Sequence, residues 1–456
     1  MRLTEKKVVS QMIKRIKLKK MAVTILMSAS FVFSMSGCGS SSGSTTASGA
    51  DKATSEIVTE ATTAEVTENE KTEATTGNKF LPDTTIPELS IEKYEIPDND
   101  GLRFVHDMRV GVNLGNTFDA YIDGSSLKND MDTETAWIST KATQETIKAY
   151  HEAGFDTIRI PVSWHNHVSD DYTISEKWLS RVQEVVDWAI DDGMYVIINI
   201  HHDNHLEADG FYPDNEHLDK SKHYITRIWE QLSERFKDYD EKLIFESMNE
   251  PRLVGHQYEW WYPANTAVVK ESMECINQLN QVFVDTVRAS GGNNAVRYLM
   301  CPGYDASPDG ALDAVYRVPE DSVGLEHHII ISVHAYTPYD FALNTNGTRD
   351  FSVKNKKGTG DIDSFMEKLY QKYIKDGTPV VIGEFGAVDK NKNIQERVDF
   401  AAYYIASARA RGMTALWWDN SAFSGNGESL GLYYRIGGYF VYKDIVDALM
   451  KYVDMY

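Results

Sequence analysis

Gly193-Met194-Tyr195-Val196-Ile197-Ile198-Asn199-Ile200-His201-His202-Asp203 holds the architecture in miniature. Gly193 stands where the amphipathic stretch 175–192 should stop, as a C′ glycine does. The apolar run 195–200 is too short for a helix and predicts a strand. It ends in three polar groups capable of chemistry. The same unit recurs along the chain. Apolar runs at 110–114, 157–161, 195–200, 243–248, 298–301, 329–333, 380–383 and 414–418 predict eight strands. Amphipathic stretches at 143–153, 175–192, 222–236, 268–290, 361–375, 395–411 and 442–452 predict helices, with Gly154, Gly291 and Gly412 at further helix ends. The weakest helical stretch is 303–326, between the fifth and sixth strands. Strands alternating with helices in this way predict a parallel (β/α)8 TIM barrel of the α/β class rather than an open sheet.

Such a barrel carries its site at the C-terminal ends of its strands. Strand two carries Arg159. Strand three ends in His201-His202-Asp203, strand four in Asn249-Glu250-Pro251 and strand six in His334-Ala335-Tyr336. Strand seven ends in Gly383-Glu384-Phe385-Gly386 and strand eight in Trp417-Trp418-Asp419-Asn420. Polar groups thus gather at one end of otherwise apolar strands. A purely structural account would bury ions at each strand end, at a desolvation cost with no return. Either Glu250 or Glu384 alone fits an ion pair. Together they are the two carboxylates that glycosidic cleavage needs, one to protonate the leaving oxygen and one to attack the anomeric carbon or activate water.

Bulk properties agree. The chain has 456 residues, 42% of them hydrophobic, and a net charge of −22. A nucleic-acid partner is excluded, because no basic surplus exists to neutralise phosphates. A neutral polymer fits better than an anionic one. The 9 Trp, 25 Tyr and 17 Phe lean the same way, although core packing accounts for most of these rings.

The N-terminus is an address. Lys14, Arg15, Lys17, Lys19 and Lys20 precede a short apolar run that ends at Met35-Ser36-Gly37-Cys38. Small residues before a cysteine resemble a bacterial lipobox, which implies cleavage before Cys38 and a lipid on its sulfur. Met12 stands as an alternative start, and an export signal with an incidental cysteine as an alternative reading. Residues 39–95 are Ser-, Thr- and Glu-rich at their start and are expected to form a disordered linker. The catalytic domain is expected over 96–456. Cys275 and Cys301 could pair in an exported protein, but nothing demands it.

The motifs together resemble glycoside hydrolase family five. Asn249-Glu250-Pro251 and Gly383-Glu384-Phe385-Gly386 carry the likeness, with Gly111-Val112-Asn113-Leu114-Gly115-Asn116-Thr117, Glu134-Thr135-Ala136-Trp137, Gly154 to Trp164, His334-Ala335-Tyr336 and Trp417-Trp418-Asp419-Asn420. It covers about residues 99–452. The nearest likeness is to bacterial endoglucanases of the subfamily with xyloglucan- and mixed-linkage-glucan-cleaving members. The resemblance implies a retaining endo-β-1,4-glucanase, with Glu250 as acid/base and Glu384 as nucleophile. It implies that Asn249 bonds the sugar 2-hydroxyl, that Arg159 and Tyr336 hold the nucleophile, and that His334 lies beside the acid/base. His201 would line the −1 site and Trp417 would be its floor, although alternation lets only one of Trp417 and Trp418 face the cleft. Asn113, Trp137, Trp260 and Trp261 are candidates for outer subsites; Trp260, Trp261 and Tyr262 could equally plug the loop.

In a retaining pair the carboxyl groups should lie about 5–5.5 Å apart, against roughly 6.5–9.5 Å in an inverting one. Arg159 should keep the Glu384 pKa low, and the surroundings should raise that of Glu250. No cofactor and no metal is expected: adjacent His201 and His202 should point to opposite faces of a strand, which disfavours a shared ion. The expected partners are a β-glucan polysaccharide and a membrane through Cys38, with the protein a monomer outside the cell, lipid-anchored or secreted free. Xyloglucanase, mannanase and xylanase activities are the alternatives on the same fold. A non-catalytic sugar-binding lipoprotein would have no use for the carboxylate pair.

Overall fold

The computed structural model describes residues 83–455 except 125, 206–209 and 425–426. The expected export signal, Cys38 and the linker up to residue 82 lie outside the described residues. Eight parallel strands close a barrel in sequence order: β1 (Val110–Leu114), β2 (Thr157–Ile160), β3 (Tyr195–Asn199), β4 (Leu243–Glu246), β5 (Leu299–Pro302), β6 (Ile329–His334), β7 (Val380–Phe385) and β8 (Thr414–Asp419). Closure is made by β1 against β8, with Val110 beside Ala415 and Leu114 beside Asp419.

The outer layer begins with α1 (Asp100–Asp107), α2 (Gln144–Glu152), α3 (Glu176–Asp191), α4 (Leu218–Arg235) and α5 (Ala267–Ala289). It continues with the short α6 (Pro308–Leu312) and α7 (Tyr339–Ala342), then α8 (Thr359–Lys372), α9 (Ile394–Ala410) and α10 (Lys443–Lys451). The four helix-end glycines have positive φ, from +70° at Gly291 to +104° at Gly154, a region open to glycine at no steric cost. In the weakest helical stretch only α6 forms, started by Pro308 and a Ser307 cap whose Oγ accepts from Gly310 N at 3.0 Å.

Alternation sorts the strand residues into two cores. Val112, Ile158, Val196, Phe245 and Ala415 face the helices. Ile197, Ile244, Met300, Ile330, Val381 and Leu416 face the axis. There they meet Phe104, Val105 and Met108, so α1 plugs the N-terminal end of the barrel. Asn99 caps that helix, its Oδ1 accepting from Leu102 N at 2.9 Å. The sequence reading did not include this plug.

The linker expectation overshoots at its C-terminal end. Ile86, Leu89, Tyr94 and Ile96 pack on the core. Thr85 and Gln395 exchange two hydrogen bonds of 2.8 Å, and Tyr94 N donates to Ala410 O at 2.9 Å. Residues 85–95 therefore belong to the folded body; spaced apolar side chains outweigh the polar, proline-containing composition. This segment walls one side of a surface groove of about 700 Å³ beside α8, remote from the strand ends described below. Cys275 and Cys301 are unpaired and buried.

Candidate active site

One layer above the apolar plug, the barrel interior turns polar. Arg159 on β2 and Glu246 on β4 are fully buried and joined at 2.7 Å. Each guanidinium nitrogen is assigned. Nε donates to Glu246 Oε2 at 2.7 Å, Nη1 to Glu384 Oε1 at 2.7 Å and to Asn113 Oδ1 at 3.0 Å, and Nη2 to Asn249 Oδ1 at 2.7 Å. Glu246 also accepts from Asn199 Nδ2 at 3.0 Å and from Ser332 Oγ at 2.6 Å. Burial works to raise its carboxyl, but Arg159, His334 and Ser332 outweigh that and hold it at about 2. Glu246 was not among the expected site residues. Its signal was there: a carboxylate inside an apolar run, two residues from inward-facing Ile244.

Glu384 reaches the cleft through a bulge. Val381 faces the axis, so strict alternation would turn Glu384 outward. Between Val333 and His334 the β6–β7 register slips, and His334 comes to lie opposite Glu384 instead of Gly383. The extra residue reverses the parity. A Cβ on Gly383 would stand 3.0 Å from His334 Nε2, so a side chain there would press on that ring.

The two glutamates share His334. Its Nδ1 lies 2.9 Å from Glu250 Oε1 and 3.5 Å from Glu384 Oε1. Tyr336 Oη donates to Glu384 Oε2 at 2.9 Å. One oxygen from each glutamate and a nitrogen of His334 lie within 4.8 Å of one another. Burial opposes a charge on His334, but Glu384, Glu246 and Glu250 raise it to about 9. Burial pushes the Glu384 carboxyl up, against the pull of His334 and Arg159. For Glu250 burial acts upward too, but His334 and then Arg252 bring it below its ordinary value. The expected order of the two carboxyls is thus reversed. The cause is the contact between His334 and Glu250, which favours the charged form of that carboxyl.

Other expected residues divide. Asn249 is in the network. His201 is buried, with Nδ1 3.2 Å from Asn199 Nδ2, and its ring lies parallel to Trp418 at 5.7 Å. Trp417 is a correction. Leu416 faces the axis, so Trp417 turns to the helices, where it is fully buried against Phe385 and donates from its indole nitrogen to Leu430 O at 2.9 Å. Trp418 is the indole on the cleft side. Asn113 is corrected as well: it is fully buried and its amide spans Arg159 and Gly383 O, which leaves no outer subsite there. The opposite-face argument for His201 and His202 also fails. β3 ends at Asn199, and beyond it the two rings meet edge to face at 4.4 Å. One oxygen of Asp119 and a nitrogen of each ring come within 4.8 Å of one another.

The outer tryptophans are exposed at 41% (Trp137), 51% (Trp260) and 72% (Trp261), which rules out a buried plug. Trp137 stands against Tyr121 and His202. Tyr262 is the ring that packs inward, edge-on to Tyr304 at 5.3 Å.

The model of the cellulase family, glycosyl hydrolase family 5, matches residues 119–424. Endoglucanase A of Ruminococcus albus is 39% identical over 361 residues, covering 78% of this chain and 94% of that protein. Among solved structures, a family 5 lichenase from Caldicellulosiruptor sp. F32 is 52% identical with a TM-score of 0.79, covering 81% of this chain and all of that one. A broad-specificity endoglucanase from Ruminococcus champanellensis, with bound cellotriose, is 39% identical with a TM-score of 0.71, covering 78% of this chain and all of that one. On the family match and these identities, the chain belongs to glycosyl hydrolase family 5, the cellulase family.

Proposed function

We propose that the protein is a retaining endo-β-1,4-glucanase that cleaves internal bonds of cellulose-like and mixed-linkage β-glucans by double displacement. The observation that carries this is the Glu250–His334–Glu384 cluster, with both carboxylates on one imidazole. A Glu384 oxygen attacks the anomeric carbon while the bond to the leaving oxygen breaks. Arg159 and Tyr336 hold that carboxylate ionised and aimed. The leaving oxygen takes its proton from Glu250, which receives it from His334 across the 2.9 Å hydrogen bond. Water then attacks the glycosyl ester as Glu250 takes its proton, and the anomer is retained. Asn249 lies beside Arg159, where the sugar 2-hydroxyl is expected. His201 and Trp418 form the wall of the −1 site, and Trp137, Trp260 and Trp261 are outer platforms for a polymer.

The 52% identity to a lichenase favours mixed-linkage glucan as the first substrate to try. Reducing-sugar release from lichenan, carboxymethyl-cellulose, xyloglucan, mannan and xylan tests the specificity. Release from mannan or xylan alone would sink it. The first-formed anomer, read by NMR, should be β; an α product would sink the mechanism. We also propose that the protein works outside the cell as a monomer, tethered by a lipid on Cys38. Radiolabelled palmitate should enter the wild type and not Cys38→Ala, and absence of label in both would leave a freely secreted enzyme.

A further inference from the structure

The loop after β4 contains an arginine that the mechanism above does not use. Arg252 Nη1 donates to the Glu250 backbone oxygen at 2.9 Å and stands 3.6 Å from Glu250 Oε2. Its Nε donates to Glu259 Oε1 at 3.2 Å and lies 3.8 Å from Asp305 Oδ1. Glu259 in turn closes the loop by accepting from Gly255 N at 2.8 Å. The Arg252 guanidinium carbon is 4.0 Å from the Trp260 ring centroid. One face of that indole is therefore covered by a cation, while the residue is half exposed. Asp305 approaches from the β5 end in a left-handed backbone conformation, φ +58°, its N–H held by Pro251 O at 2.8 Å and its buried Oδ1 without a hydrogen bond. A single guanidinium thus sits among three carboxylates, one of them Glu250, and against an aromatic ring.

We infer that Arg252 is a positioning residue for Glu250, held in place by Trp260, so that an outer sugar platform and the charge on the acid/base depend on one side chain. This rests on Glu250 being the acid/base. The guanidinium favours the charged form of Glu250 and so limits how high in pH the proton stays available. The other groups facing Glu250 are His334 from β6, Tyr336 just beyond it, Glu384 from β7, His202 from the β3 end, Asp305 from the β5 end and Glu428 from the loop after β8. Two of the groups around Glu250 meet an exposed indole, Arg252 over Trp260 and His202, tilted, against Trp137; of the two, Arg252 is the permanent cation.

The test is the basic limb of the kcat/KM profile on a glucan oligomer. Arg252→Gln should move it up by about 0.5–1 pH unit, and Arg252→Lys should return it close to wild type. Trp260→Ala should raise KM and also move the limb upward, by less. A Trp260 that only stacks sugar would raise KM with the limb unmoved, and an unmoved limb in folded Arg252→Gln would overturn the inference outright. Should Arg252→Gln not fold, the limb in Trp260→Ala decides. Glu250→Ala, assayed on an aryl glycoside whose leaving group needs no proton, separates the two readings. Preserved glycosylation there with an unmoved limb in the Arg252 variant defeats this inference only. Equal loss on both substrates defeats the acid/base reading itself.

Discussion

At the N-terminal end of the barrel, Phe104 and Val105 of α1, with Met108 just past its end, meet Ile197, Ile244, Met300, Ile330, Val381 and Leu416. One layer higher, between the same strands, Arg159, Glu246, Asn199 and Ser332 fill the interior instead. The lower end gains stability from apolar burial, which needs no precise geometry. The upper end removes two ions from water, and replacing such a pair by well-packed apolar groups is often neutral or stabilising. Its return is direction: Glu246 fixes one edge of the Arg159 guanidinium, and the remaining nitrogens point at Glu384, Asn113 and Asn249. The same interior is divided between holding the fold and aiming the chemistry.

The comparison breaks most sharply at Glu384. Glu384→Ala should lower kcat by ~10⁵-fold while the melting temperature moves by less than about 3 °C, and azide or formate should restore part of the turnover. A large loss of melting temperature would mean that this carboxylate carries the fold as well. Phe104→Ala is the mirror experiment. It should cost about 3–5 kcal/mol in chemical denaturation and leave kcat at 25 °C within about twofold of wild type.

Glu246→Gln should fail on both counts, because it removes the charge of the fully buried carboxylate that faces the Arg159 Nε edge. We expect a loss of about 3–5 kcal/mol together with a fall in kcat; retained kcat would mean that Glu246 does not aim Arg159.

These contrasts bear on what could be read from the sequence. The barrel was legible because each short apolar run is bounded by a helix-stopping glycine or a polar cluster, and Glu250 and Glu384 were legible because they end such runs. Glu246 was hidden inside one, where a charged residue looks like an interruption until its partner on β2 is known. The order of Trp417 and Trp418 turns on strand parity, which two adjacent identical residues cannot reveal. Glu384 faces the cleft only because of a bulge, and no alternation rule anticipates that. His201 and His202 lie past the strand end, where alternation no longer applies. The α1 plug is a short helix ahead of the first strand, outside the repeating unit.

His334 sharpens the comparison through pH. Its folded value of about 9 lies above its ordinary 6.5. A raised histidine contributes stability that is complete below about pH 6.5 and is lost as pH rises through 9, roughly 3 kcal/mol in all. Urea midpoints should therefore fall between those values in wild type and stay flat in His334→Asn. The smallest effect separates the two indoles. Trp418→Ala should reduce kcat/KM by about tenfold with little change in stability, whereas Trp417→Phe should lower stability by about 1–2 kcal/mol and leave KM unchanged.

The segment 85–95 has a further consequence. Leu89 N donates to Tyr452 Oη at 2.9 Å across 363 residues, and the same hydroxyl donates to Pro87 O at 2.6 Å. Lys451 and Glu88 pair beside them at 2.6 Å. Two stretches at opposite ends of the catalytic body are therefore side by side once it folds. A short peptide joining them would strain nothing in the native protein, yet it would deprive the unfolded chain of much of its freedom. New termini could then be opened in any exposed loop away from the cleft. The molecule is, in effect, already a ring with one bond missing, and so a natural candidate for circular permutation.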